Sequence, residues 1–170
     1  MTAVVYIHGQ YGNAAESEHY KSLFPGCKVI GLDYKTFAPK ETGREIHAFV
    51  ESLKPRYKNI ILIANSIGAF FSLHADLNSF IQKAYFISPI VTLNAFACDK
   101  PEWMNLGDPK LNIPTAILYG SRDTMTSFET IKNFAKKHGS SLTVMDGGEH
   151  WFRTEEQMQF LDDWIRKTLC

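Results

Sequence analysis

The chain predicts an α/β protein, a three-layer α/β/α sandwich around a mostly parallel sheet of about six strands. Two patterns lead there. Short runs dense in Val, Ile, Leu, Ala and aromatics recur from end to end and read as strands buried on both faces. Helix-length segments separate most of them, and such alternation implies parallel strands covered by helices on both sides. No repeat, low-complexity tract or linker interrupts the alternation, so residues 1–170 are expected to form a single domain.

Taken in order, the strands are AVVYIHG, CKVIGLDY, NIILIANS, KAYFISPI, PTAILYGS and LTVMDGG. Between the first two lies AAESEHYKSLF, and after the second ETGREIHAFVESLK, both with apolar residues at helical spacing. The segment SIGAFFSLHADL is apolar nearly all round and is expected to be a buried helix. In TSFETIKNFAKKHG, Thr126 stands three places before Glu129 in a capping-box pattern, with Gly139 as the stop. Thr154 and Gln157 repeat the box before EEQMQFLDDWIRKTL. The irregular stretch from Thr92 to Asn112 holds Pro101, Trp103, Gly107 and Pro109. It reads as a long loop with a helical turn or two, laid over the rim of a site that stays open on one side.

Acidic and basic residues balance at 18 each, without long blocks of one sign, which argues against nucleic acid and anionic membranes as partners. The expected ligand is small and weakly charged. No targeting segment or apolar span opens the sequence, so a cytoplasmic protein is expected. Cys27, Cys98 and Cys170 are odd in number and scattered, unlike a disulfide framework or a zinc site, and read as reduced structural thiols. No metal or other cofactor is expected, since no cluster of histidines and carboxylates has ligand spacing.

Chemistry enters at ANSIG, Ala64 to Gly68, where a buried strand hands over to a buried helix. A serine on so tight a turn has its hydroxyl pushed out above the sheet, and small neighbours two residues away make room for it. The following helix aims its free N–H groups at developing negative charge. Ser66 could equally be a buried serine at an ordinary N-cap. An alcohol nucleophile needs a base and a carboxylate to orient that base. Of the six histidines, His19, His47, His74 and His138 fall within expected helices and His8 ends the first strand. His150 alone follows the last strand on a loop, after Gly147 and Gly148. Asp123, at a strand exit in AILYGSRDTM, is the candidate carboxylate, with turn former as its plainer role and Asp99 as an alternative; Asp33 and Asp146 are less well placed.

Ser66, Asp123 and His150, in that order and each after its own strand, resemble the nucleophile, acid and base of the α/β-hydrolase family. HGQYG, His8 to Gly12, is similar to that family's H-G-x-x-G loop. The resemblance implies a minimal α/β-hydrolase fold that lacks the first two of the usual eight strands, with the remaining strands in the order second, first, third, fourth, fifth, sixth. It also implies an oxyanion hole formed by the N–H groups of Gln10 and Ile67. Ala64 departs from the G-x-S-x-G pattern, and its methyl costs some clearance.

On this reading the protein is a serine hydrolase that cleaves a small carboxylic ester or thioester through an acyl-enzyme on Ser66. The alternative is a hydrolase-shaped binding or regulatory protein without turnover. Tyr11, Trp103, Trp151 and Phe152 are the candidates to wall the substrate pocket, each with a core role as the competing reading. Trp103 is expected to be the mobile contact at the rim.

Overall fold

The computed structural model describes residues 1–93, 103, 106–109 and 111–169. Its centre is a six-stranded sheet in the order β2-β1-β3-β4-β5-β6, in which every pairing is parallel. The strands are β1 Thr2–Ile7, β2 Lys28–Leu32, β3 Asn59–Asn65, β4 Lys83–Ile87, β5 Thr115–Gly120 and β6 Ser141–Met145. The helices are α1 Pro39–Leu53, α2 Ile67–Leu73, α3 Phe128–His138 and α4 Glu155–Thr168, with a 3-10 helix at Ala14–Ser22.

Side chains alternate across a strand, so a strand apolar at every position must be covered on both faces. β1 shows the result. Ala3, Val5 and Ile7 join a core with Ile46 and Val50 of α1, Phe71 of α2 and Ile131 of α3. Val4 and Tyr6 join the opposite core with Tyr20 of the 3-10 helix and Leu161 and Trp164 of α4. Three layers follow from that division. The sheet order reverses direction at β1, whose neighbours are β2 on one side and β3 on the other, which leaves a crevice at the carboxyl ends of β1 and β3.

Local chemistry departs from the sequence expectations in the type of one helix and at the ends of three others. Segment 14–22 is 3-10 rather than α, and its inward residues Ser17, Tyr20 and the following Leu23 recur every three positions, the 3-10 period. Asn13 and Glu16 cap it reciprocally. α2 stops at Leu73, earlier than the apolar pattern suggested, and α1 packs on its end: a Cβ on Gly43 would lie 2.8 Å from the His74 carbonyl oxygen. The cap of α3 is Ser127, whose hydroxyl accepts from Thr130 N–H, and not Thr126. Gly139 ends α3 in the left-handed conformation at φ 62°, and Thr154 caps α4 as expected. Half of the second box forms: Gln157 Oε1 accepts from Arg153 N–H at 3.1 Å instead of from the cap residue. Among the described residues, no helix is long and apolar enough to cross a membrane.

The tightest helix-to-sheet approach is at Gly68, where a Cβ would lie 2.4 Å from His8 O and 2.7 Å from Ile7 O. Gly68→Ala should therefore destabilise the protein by at least about 2 kcal/mol, since backbone must shift to admit the methyl. Gly139→Ala, whose added Cβ meets nothing within 4 Å, should carry only the left-handed penalty of about 1–2 kcal/mol. Urea denaturation of the two variants measures the difference.

Candidate active site

Ser66 sits between β3 and α2 at φ 52°, ψ −122°, a conformation that costs a non-glycine residue about 1–3 kcal/mol and is held only where surroundings enforce it. Here the enforcement is a pair of backbone bonds: Ser66 N–H donates to Ile87 O at 3.0 Å, and Ile90 N–H donates to Ser66 O at 3.1 Å. The exit of β4 thus grips the turn from both sides. Gly9 completes the confinement, since a Cβ there would lie 3.1 Å from Ser66 Cβ.

Ser66 Oγ lies 2.8 Å from His150 Nε2, and His150 Nδ1 lies 2.7 Å from Asp123 Oδ2. A carboxylate can only accept, so the imidazole proton resides on Nδ1 and the bare Nε2 accepts from the serine hydroxyl. Asp123 is held by its other oxygen: Oδ1 accepts from Met125 N–H at 2.7 Å and Thr126 N–H at 3.1 Å. The plainer role, turn former, and the contact with His150 thus belong to separate oxygens of one group. Its side chain is fully buried and that of His150 nearly so.

The loops that carry these two residues are locked together by absent side chains. A Cβ on Gly120 would lie 2.4 Å from Gly148 C, so the exits of β5 and β6 touch backbone to backbone. Arg122 N–H donates to Gly148 O at 2.8 Å, and Ser121 hydroxyl bridges Asp146 and Gly147. Asp146 therefore braces the His150 loop, while Asp33 accepts from Ala14 N–H at 2.6 Å. Asp99 lies outside the described residues.

The other histidines are spent elsewhere. His19 pairs with Asp162 at 2.7 Å, and His47 contacts the Ala75 carbonyl. Burial lowers the affinity of His74 for a proton, and burial with Lys137 does the same at His138. His8 stacks on Tyr34 at 4.2 Å, and Tyr34 hydroxyl donates to His8 O, which props the loop entering Gly9 and Gln10.

A cavity of about 340 Å³ opens over Ser66 and His150, with Gln10, Tyr11, Met125 and Trp151 in its wall. Tyr11 and Trp151 are 96% and 53% exposed, so both reach its mouth. Ile67 is the first residue of α2, and its N–H has no carbonyl four residues back within the helix. Trp103 requires a correction. It is 4% exposed, packs against Phe37 and Phe71, and borders a separate cavity with Phe70 and His74. An indole this large gains more from an aromatic core than from an exposed rim. Phe152 packs against the α4-side core and borders the adjoining cavity. Three side chains missed by the sequence reading, Glu16, Asn65 and Met125, border the Ser66 cavity. Asn65 was visible as the neighbour of the serine, whereas Glu16 reaches the cavity only because the 3-10 helix folds over β1. Among the described residues no group of three or more His, Cys, Asp or Glu could hold a metal ion.

No family model matches the chain. Solved structures do. Est1E from Butyrivibrio proteoclasticus, with ferulic acid bound, superposes with a TM-score of 0.77 at 14% identity, covering 99% of this chain and 88% of that one. An α/β serine hydrolase homologue from Coxiella burnetii gives 0.76 at 18%, over 100% and 85% of the two chains. The esterase Est2 from Thermogutta terrifontis, with propionate bound, gives 0.71 at 16%, over 98% and 83%. In sequence, 92 residues are 32% identical to a Mycoplasma genitalium protein with the provisional name esterase/lipase 3. That match takes in 52% of this chain and about a third of the relative, 33% of its length. The chain has the α/β-hydrolase fold.

Removing the Asp123 carboxylate separates its two jobs. Asp123→Ala leaves Met125 and Thr126 N–H groups without their acceptor and should cost about 1–3 kcal/mol, whereas Asp123→Asn keeps an acceptor and should cost less. Thermal denaturation of the two variants checks the order.

Proposed function

We propose that the protein is a serine hydrolase that cleaves a small carboxylic ester or thioester through an acyl-enzyme on Ser66, its 170 residues acting as one domain. The observation that carries this reading is the unbroken line of hydrogen bonds from Asp123 through His150 to Ser66, ending at a cavity mouth. Esterases and hydrolases among the structural neighbours support it. The scattered cysteines support a cytoplasmic setting.

His150 Nε2 takes the hydroxyl proton as Ser66 Oγ attacks the carbonyl carbon, and Asp123 steadies the imidazolium. The carbonyl oxygen gains charge and accepts from the N–H groups of Ile67 and Gln10, donors worth about 3–4 kcal/mol each in such sites. The imidazolium then protonates the leaving alcohol or thiol as the tetrahedral intermediate collapses. Water, deprotonated by the same imidazole, releases the acid and frees Ser66. Tyr11 and Trp151 flank the entering substrate.

Ser66→Ala and His150→Ala should each lower kcat for p-nitrophenyl acetate by several orders of magnitude with the circular dichroism spectrum unchanged, because the members act as a unit. Near-wild-type turnover by folded Ser66→Ala defeats the assignment. Asp123→Asn should lose about 10⁴-fold by presenting the wrong imidazole tautomer, by analogy with the protease measurement. Trp151→Ala should raise KM more than it lowers kcat, since it removes contacts common to ground and transition states.

A further inference from the structure

Beside the Ser66 cavity lies a second one, of about 380 Å³, between the sheet, the 3-10 helix and α4. The two share Glu16, Asn65 and Trp151 as a common wall, so they are chambers of one cleft. The second chamber is mostly apolar, with Ile87, Phe152, Met158 and Leu161 around it. Its volume suits an aryl ring with a short linker.

Its polar groups are one-sided. Tyr6 hydroxyl donates to Glu16 Oε2 at 2.5 Å, while Asn65 borders the chamber from the nucleophile side. Burial, first of all, holds the phenol's proton affinity far above the ordinary value, so Tyr6 remains the donor. Among the described residues, Glu16 Oε1 otherwise receives only Asn13 N–H, at 3.3 Å. A carboxylate offers about four acceptor positions. Glu16 therefore has acceptor capacity to spare at the boundary of both chambers, where Tyr6 has none to offer as a donor. His19 is already paired with Asp162, and Arg153 stands at the rim over the Trp151 ring at 5.4 Å.

We infer that this second chamber is the specificity subsite for one arm of the ester, an aryl or compact alkyl group carrying a hydroxyl that donates to Glu16. The inference rests on the proposed hydrolase reading for the bond that is cut, but the subsite binds whether or not that bond breaks. Glu16 is a specificity residue here and takes no part in the proton transfers at Ser66 and His150. The Tyr6–Glu16 hydrogen bond ties it to β1, which pairs with the strand leading into the nucleophile turn. A hydroxyl seated on Glu16 therefore fixes the ester's position relative to Ser66, and an apolar arm of the same size lacks that orienting bond.

Binding to full-length Ser66→Ala, followed by the indole NMR signal of Trp151, tests the subsite apart from turnover. Two ligand pairs place the arm on either side of the ester: 4-hydroxybenzyl against 4-methylbenzyl acetate, and methyl 4-hydroxyphenylacetate against methyl 4-methylphenylacetate. In at least one pair the hydroxylated member should bind about tenfold tighter, the value of a hydrogen bond to a charged acceptor. Glu16→Gln, added to Ser66→Ala, should cut that preference at least about threefold. Met158→Trp, which fills the chamber from α4, should weaken both members of the preferred pair at least about fivefold. Absence of a hydroxyl preference in both pairs, or a preference indifferent to both substitutions, overturns the subsite. Labelling of Ser66 in the unsubstituted protein by a small alkyl fluorophosphonate is read alongside. Labelling without a hydroxyl preference leaves the hydrolase standing and removes the subsite; a preference without labelling does the reverse.

Discussion

The contact of Gly68 with the carbonyls of Ile7 and His8 at the exit of β1 is the constraint on which the rest of the molecule turns. A parallel strand followed at once by a buried helix has to reverse within a residue or two, and the helix start must then lie against the neighbouring strand. A side chain at Gly68 would occupy the space of His8 O and Ile7 O. Because it has none, α2 begins directly over β1, and Ser66 is left in a strained positive-φ conformation with its hydroxyl facing the crevice. The strain is sustained by the two backbone bonds to Ile87 and Ile90, so β4 is part of the device as much as β3.

A similar economy governs the other half of the site. Gly120 and Gly148 touch backbone to backbone, which draws the exits of β5 and β6 together. Asp123 and His150 then sit 2.7 Å apart although 27 residues separate them. Neither loop is held by apolar burial alone. Each is fixed by short polar bonds: Asp123 Oδ1 to two N–H groups, Ser121 to Asp146 and Gly147. Rigid support of this kind matters because hydrogen-bonded reacting groups tolerate little displacement. The buried Asp123 would be costly as a lone charge, and its three hydrogen bonds offset that cost.

The two faces of the sheet serve different ends. On one, α1, α2 and α3 close a continuous core that takes in Trp103 and Phe71. On the other, a 3-10 helix and α4 cover less of the sheet, and the chambered cleft opens between them and β1, β3 and β4. A 3-10 helix that buries only Ser17 and Tyr20 leaves room that an α-helix of the same length, with a wider apolar stripe, would fill.

The sequence by itself determined about six strands in a mostly parallel sheet, because strands buried on both faces admit few residues and alternating helices restrict the connections; their order and the crossover at β1 followed from the resemblance to α/β-hydrolases. It also put Ser66, Asp123 and His150 at strand exits, since tight turns there demand small neighbours and leave few positions for a reactive side chain. Only the tertiary structure decided what each side chain faces. Ser127 and not Thr126 caps α3, because the buried Thr126 hydroxyl is turned to Pro89 O while Ser127 Oγ accepts from Thr130 N–H. Trp103, which looked like a rim residue between two prolines, is drawn into the core by Phe37 and Phe71, contributed by segments 66 and 32 residues earlier in the chain. Glu16 reaches the cleft because Tyr6, ten residues before it, directs its hydroxyl there. Pattern along a chain records whether a residue must be buried; the partner that buries it comes from a distant segment, and packing alone selects it.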